Sequence, residues 1–330
     1  LQSRGLGDVY KRQDYHLTLQ SISKNNGLIL DGICIRKTGE NAAPTIYLNQ
    51  FYKSFQDGIS IKEIIKDILL VYQTNKLPDH IHLEELTAKD HIKSKIIYRL
   101  INESANRDLL SDIPHISYQN LDLCLVFCLS MKNTEDNLLT ALIHNNHLKT
   151  WNLTTEDLHE AAKVNTPRLF PASIRSLSEV IKEIAQKSFT HEVKEEELFE
   201  FFDDIPLSPP MYVLTNSAGI QGAACMFYEG ILKDFAFCSD SDLIILPSSI
   251  HEVLIIPHTQ NISISELAET VFSINQEEVP EEDRLSNHIY FYSKAKDQLT
   301  VAFTSSAPIG TKNPLSVSYT HLRAHETAAN

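Results

Sequence analysis

Glycine is scarce in this 330-residue chain, 10 residues in all, well below the roughly 7% of an average protein. No G-x-x-x-x-G-K-[ST] loop, G-x-G-x-x-G turn or G-x-S-x-G elbow occurs, which excludes the common phosphate cradles and the hydrolase nucleophile elbow. Basic charge is short as well. Lys and Arg number 29 against 43 Asp and Glu, a formal net charge of −14 at pH 7. No run of Lys or Arg gathers into the face that a nucleic-acid binder turns toward phosphates, so no nucleic-acid partner is expected. Nor does any apolar stretch approach the roughly 20 residues a bilayer requires, and no membrane partner is expected.

Metal and redox signatures are missing too. The five cysteines, Cys34, Cys124, Cys128, Cys225 and Cys238, are an odd number set mostly in apolar, strand-like runs. They read as buried reduced thiols of a cytoplasmic protein. Cys124 and Cys128 are four apart and form no C-x-x-C pair. The pairs His159-Glu160, His191-Glu192 and His251-Glu252 each lack the second His of a zinc-protease helix. No cofactor and no metal are expected.

Residues 1–13 and 316–330 carry neither a helical nor a strand period. They read as translated adaptor DNA and are set apart from the fold. What lies between divides into an N-terminal α+β half at residues 14–190, an acidic linker at residues 191–210 that ends in prolines, and a C-terminal α+β half at residues 211–304.

The most apolar stretch, residues 242–258, reads DLIILPSSIHEVLIIPH. Two β-rich segments flank the turn-forming Pro247-Ser248-Ser249-Ile250 and predict a hairpin at the centre of a sheet. Earlier, residues 15–22 and 28–35 form a strand pair around Asn26-Gly27, and residues 45–48 add a third strand. Ser60 and Glu63 form a capping box before a helix whose Ile61, Ile64, Ile65, Ile68, Leu69 and Tyr72 share one face. Residues 90–110 fit helix or strand. Residues 121–129 predict a buried strand with 138–143 as its partner. A short helix follows at 147–151, then one capped by Thr154 and stopped by Pro167, then one opening at Ser176. Strands are expected at 211–215 and 222–228, a helix at 231–237, a helix from Ser263, and a closing hairpin at 288–292 and 299–303. The fold class is α+β: mostly antiparallel sheets with packed amphipathic helices. A shared pattern at 152–160 and 261–269, with Thr154 or Ser263 as cap and Asp157 or Glu266 reaching back, suggests two related halves.

Chemistry is thinly signalled. His144 and His147 end a predicted strand, while His251 and Glu252 sit in the central hairpin. Were these side chains to converge, they could form an acid-base or metal site, so a hydrolase or metal-dependent enzyme is the alternative function. The plainer reading gives His144 and His147 to turns and Ser248 and Ser249 to turn backbone groups. In Asn165-Thr166-Pro167-Arg168, the Arg reads as tying a helix end to carbonyls.

The segments Lys24-Asn25-Asn26-Gly27-Leu28-Ile29-Leu30-Asp31-Gly32, Pro44-Thr45-Ile46-Tyr47-Leu48-Asn49, Met211-Tyr212-Val213-Leu214-Thr215-Asn216 and Leu246-Pro247-Ser248-Ser249-Ile250-His251-Glu252-Val253 resemble the bacterial domain-of-unknown-function family numbered 5688, as do Asn165-Thr166-Pro167-Arg168-Leu169 and Gly222-Ala223-Ala224. The resemblance implies an N-terminal helix in a complete member. It implies no activity and no catalytic residue. The leading functional expectation is a cytoplasmic, non-catalytic protein-binding module whose acidity and whose acidic-aromatic residues 195–204 suit a basic partner.

Overall fold

A computed structural model describes residues 14–39, 43, 45–74, 92–133, 137–188, 209–259 and 262–303. Three antiparallel sheets organise them. In the first, β1 (Tyr15–Ser23) pairs with β2 (Ile29–Lys37), and β2 pairs with β3 (Thr45–Tyr47). The β1–β2 turn needs Asn26 and Gly27 because both backbones are left-handed, at φ 59° and 72°, a region costly for most other residues. After α1 (Asn49–Gln56) comes α2 (Ile61–Thr74). The expected capping box opens α2, with Ser60 Oγ accepting from Glu63 N and Glu63 Oε2 accepting from Ser60 N, both at 3.3 Å. Its Ile68, Val71 and Tyr72 pack on Ile33, Ile35 and Ile46 of the sheet.

The second sheet resolves the ambiguous stretch into a strand followed by a helix. β4 (Ile96–Asn102) is buried on both faces, which erases the alternation that marks a half-exposed strand. A 3-10 turn, α3 (Arg107–Leu110) and β5 (His115–Ser117) lead to β6 (Leu123–Asn133) and β7 (Asn137–Leu142). β6 pairs with β4, β5 and β7. Next come α4 (Asn145–Trp151) and α5 (Thr155–Leu169). Pro167 does not stop α5 but lies inside it. A proline in the last turn forfeits a single backbone bond, and the helix still closes through Phe170 N on Thr166 O at 2.8 Å. Arg168 is exposed; the tie to carbonyls is made by Asn165, whose Nδ2 donates to Lys93 O at 2.7 Å and Ile96 O at 3.0 Å.

The third sheet begins with β8 (Ala172–Ser176), which sequence alone did not suggest, followed by α6 (Leu177–Ser188) and β9 (Tyr212–Asn216). Residues 191–208 of the expected linker lie outside the described residues. Residues 222–228 are not a strand: Gly222–Phe227 is a 3-10 helix. Gly222 presses so close to its neighbours that a Cβ there would fall 2.5 Å from His251 O and 2.7 Å from Asn216 N. Then follow α7 (Ile231–Cys238), β10 (Leu243–Leu246), β11 (Val253–Pro257), α8 (Ile264–Glu277), β12 (Ile289–Ser293) and β13 (Gln298–Phe303). The order is β13-β12-β10-β11-β9-β8, so the expected hairpin is central, with Leu243 opposite Pro257 and Leu246 opposite Leu254.

Both predicted caps form. Thr154 Oγ1 accepts from Asp157 N at 3.1 Å while Asp157 Oδ2 accepts from Thr154 N at 3.0 Å. Ser263 Oγ accepts from Glu266 N at 3.4 Å, without the reciprocal bond from the Glu266 side chain that the shared pattern predicts. One apolar cluster joins Leu100, Phe127 and Leu158 to Leu214, Ile245 and Tyr290, so the second and third sheets share a core. All five cysteines are free thiols. Cys124, Cys128 and Cys225 are buried, and burial pushes the Cys124 and Cys225 thiols up to about 12. Cys34 and Cys238 are not: Cys34 is half-buried and Cys238 exposed at the end of α7.

Gly222→Ala is expected to destabilise the protein by about 1–3 kcal/mol, the usual cost of overpacking, because besides the Thr215 hydroxyl it meets two backbone atoms, His251 O and Asn216 N, that cannot turn aside. A denaturant midpoint unchanged from wild type in urea unfolding would contradict this packing.

Candidate functional site

An enzyme built on the predicted histidines needs them together. The structure unites only two. His144, between β7 and α4, sets its Nδ1 2.7 Å from Asp112 Oδ2. His147 Nδ1 accepts from His144 N at 3.1 Å, the two rings meet edge to face at 5.7 Å, and His147 stacks on Trp151 at 5.1 Å. Burial, and then the neighbouring His144, hold His147 below the usual histidine pKa. His251 sits in the loop between β10 and β11 with other partners. Its Nδ1 accepts from Gln221 N at 3.3 Å, which leaves the proton on Nε2, 3.1 Å from Asp283 Oδ1. Glu252 follows it in the same loop, half-buried. No hydrogen bond, ion pair or ring contact of His251 reaches His144 or His147. Ser249 Oγ accepts from His251 N at 3.0 Å, a turn serine serving the backbone. Among the described residues, no group of three or more His, Cys, Asp or Glu could hold a metal ion.

A dense polar arrangement lies elsewhere, where the second and third sheets meet. Asp122, just before β6, points a part-buried carboxylate at side chains far away in sequence. Oδ2 accepts from Asn102 Nδ2 at 2.7 Å and from Ser286 Oγ at 2.8 Å. Oδ1 accepts from Tyr290 OH and has His288 Nδ1 at 3.3 Å. Burial alone would raise the pKa of this carboxyl. The His288 ring beside it and the hydrogen bonds from Tyr290 and Ser286 outweigh it and hold the group below the usual aspartate range. A carboxylate has about four lone-pair sites, and three of them accept from Asn102, Ser286 and Tyr290. It fastens segments of the second and third sheets together.

A second chain of amides extends the fastening to the first sheet. Asn26 N donates to Asn106 Oδ1 at 2.8 Å, and Asn26 Nδ2 donates to Glu281 O and Arg284 O, each at 2.7 Å. Asn106 Nδ2 reaches Asn102 O at 2.7 Å, and Asn102 Nδ2 reaches Leu285 O at 3.1 Å. The β1–β2 turn, the end of β4 and the loop before β12 are thereby held as one.

The sequence profile of a family described as Family of unknown function (DUF5688) matches residues 4–294. The chain belongs to that family. The match starts inside the stretch of residues 1–13 and covers all three sheets as far as β12. Neither a curated protein nor a solved structure matches the chain. Within the described part of this family member, no helix is long and apolar enough to cross a membrane.

Beside Asp122 opens a pocket of about 430 Å³, lined among others by Glu103, Arg107 and His115. Glu103 is engaged by Ser117 Oγ at 2.8 Å and His115 Nδ1 by Ile113 O at 3.0 Å. Sequence reasoning missed Asp122, Ser286, His288 and Tyr290 because 164 or more positions separate Asp122 from its hydroxyl donors. The available signal was the polar triplet Ser286-Asn287-His288 set directly before the apolar β12.

Asp122→Asn keeps the shape and removes the charge, and is expected to cost about 1–3 kcal/mol, as for a buried partner left unsatisfied. Because the folded pKa lies below the unfolded one, the stabilisation is present above about pH 3.9 and is lost as pH falls through the folded value. Urea titrations at several pH values should show the gap between wild type and variant narrowing under acid. A gap independent of pH would mean the charge contributes nothing.

Proposed function

We propose that this family member is a non-catalytic α+β protein-binding module that works in the cytoplasm and engages a partner rich in basic residues. One observation carries the reading. α1 and the turn into α2 hold an aromatic and aliphatic surface in water: Tyr52 is 61% exposed, Phe55 48%, Ile59 41% and Ile61 60%. Tyr52 and Phe55 lie three apart and share a side of α1. Large aromatic side chains gathered on a surface are the usual anchors of protein interfaces. The net charge of −14 favours a basic partner through faster, salt-sensitive encounter. Free thiols on all five cysteines suit a reducing compartment. The acidic-aromatic residues 195–204, expected to take part, lie outside the described residues.

The test is a pull-down at low and moderate salt with wild type and with a Tyr52→Ala/Phe55→Asp variant, fold checked by circular dichroism. A specific partner retained at both salts by wild type and lost by the variant is expected. Recovery of no specific partner, or equal recovery by both proteins, overturns the reading.

A further inference from the structure

β1 is exposed on both faces along most of its length, and Leu17 and Leu19 are 67% and 72% exposed. Among the described residues it pairs with β2 alone, so its other edge is open. Which backbone groups face that edge follows from the register. Thr38 N donates to Asp14 O and Lys24 N donates to Leu28 O, so the even positions of β1 bond toward β2. By the alternation of an antiparallel ladder, Tyr15, Leu17, Leu19 and Ser21 direct their N–H and C=O groups outward. A long open edge with apolar side chains is a template for another strand.

We propose that β1 is the seam of a homodimer, in which two copies pair antiparallel about a two-fold axis at Thr18. That register sets Leu17 against the partner's Leu19, and Leu19 against the partner's Leu17. The odd positions form the hydrogen-bonded pairs, and Thr18 meets the partner's Thr18 in a non-hydrogen-bonded pair. Moving the axis to Leu19 would set Leu17 against Ser21, and moving it to Leu17 would set Leu19 against Tyr15. Only the Thr18 axis matches leucine with leucine twice.

The neighbouring rows agree. Leu19 lies beside Ile33, and Ile33 beside Ile46, while Leu17 lies beside Ile35. Pairing therefore joins Ile46, Ile33 and Leu19 to the partner's Leu17 and Ile35 in one apolar row across a six-stranded sheet. Charge points the same way. Each chain carries −14, yet β1 from Tyr15 to Ser23 contains no Lys, Arg, Asp or Glu. Two acidic copies meet with least repulsion along such a strand. An isologous contact of this kind closes on itself and stops at two chains. It is independent of the partner surface on α1.

Light scattering on the full chain across a wide concentration range should show twice the 37.4 kDa chain mass. Leu19→Pro removes only an outward N–H, a position where an edge strand tolerates proline, and should give a folded monomer. In a Cys34→Ser/Cys238→Ser background, Thr18→Cys should link two chains under mild oxidation. Its non-hydrogen-bonded partner would lie about 4.5 Å away between Cα atoms, within disulfide range. Gln20→Cys, placed opposite the partner's His16, should not link. Phe55→Asp should leave the dimer intact, which separates this seam from the α1 surface. A wild type that stays at the single-chain mass overturns the proposal, as does linking through Gln20→Cys equal to that through Thr18→Cys. If Leu19→Pro fails to fold, the disulfide comparison decides. A dimer that persists in a folded Leu19→Pro variant overturns the seam.

Discussion

The carboxylate of Asp122 is the fixed point of this structure. A charge taken out of water costs several kcal/mol unless donors replace the lost hydration, and here two oxygens are met by Asn102, Ser286, Tyr290 and His288. Those donors belong to β4 and to the loop and strand that lead into the far side of the third sheet. Satisfying the charge therefore determines how the second and third sheets abut. The linked amides of Asn102, Asn106 and Asn26 carry the same requirement to the first hairpin. Because an unmade bond at any of these buried groups is expensive, the set favours one arrangement of the three sheets over others that would bury equal apolar area.

The apolar core supplies the bulk of the driving force and divides by strand parity. Along β10, Leu243 and Ile245 face the large cluster shared with the second sheet, while Ile244 and Leu246 face the one beneath α8, with Ala268 and Val271. β11 alternates in step, Val253 and Ile255 on one side and Ile256 on the other. Covered on both faces, these strands are continuously apolar, which is how a central strand differs from an edge strand in sequence.

That difference explains what could be read in advance. The central hairpin, the Asn26-Gly27 turn, the β6–β7 pair and the caps at Ser60, Thr154 and Ser263 are each written in a few adjacent residues, and the structure contains them. Gly222–Phe227 misled because its apolar composition matches a strand, whereas its conformation is set by how tightly Gly222 meets the backbone of His251 and Asn216. β8 was missed for the opposite reason. Ala172–Ser176 carries little β-forming character, and pairing with β9 makes it a strand. The Asp122 cluster was beyond local inference, since its members come together only once the sheets have packed. His144, His147 and His251 stood out in sequence by residue type alone, which says nothing about where a side chain's partners lie.

The distribution of apolar surface separates the first sheet from the rest. The second and third sheets enclose large side chains such as Phe127, Leu158, Leu214 and Tyr290 almost completely. The first sheet buries only Ile35, Ile46 and Tyr72 in its own small cluster, and leaves Leu17, Leu19, Ile29, Tyr52, Phe55 and Ile61 in water. A sheet of three strands backed by two helices is close to the lower limit of what holds together unaided. Its anchorage comes from the amides at Asn26 and Asn106 rather than from a deep core. A polar clasp of this kind fixes position while leaving hydrophobic side chains available. The engagement of Asp122 and the exposure of Leu17 and Tyr52 are thus two sides of one arrangement: the polar junction ties the first sheet to the larger two, and the first sheet keeps large apolar side chains in water.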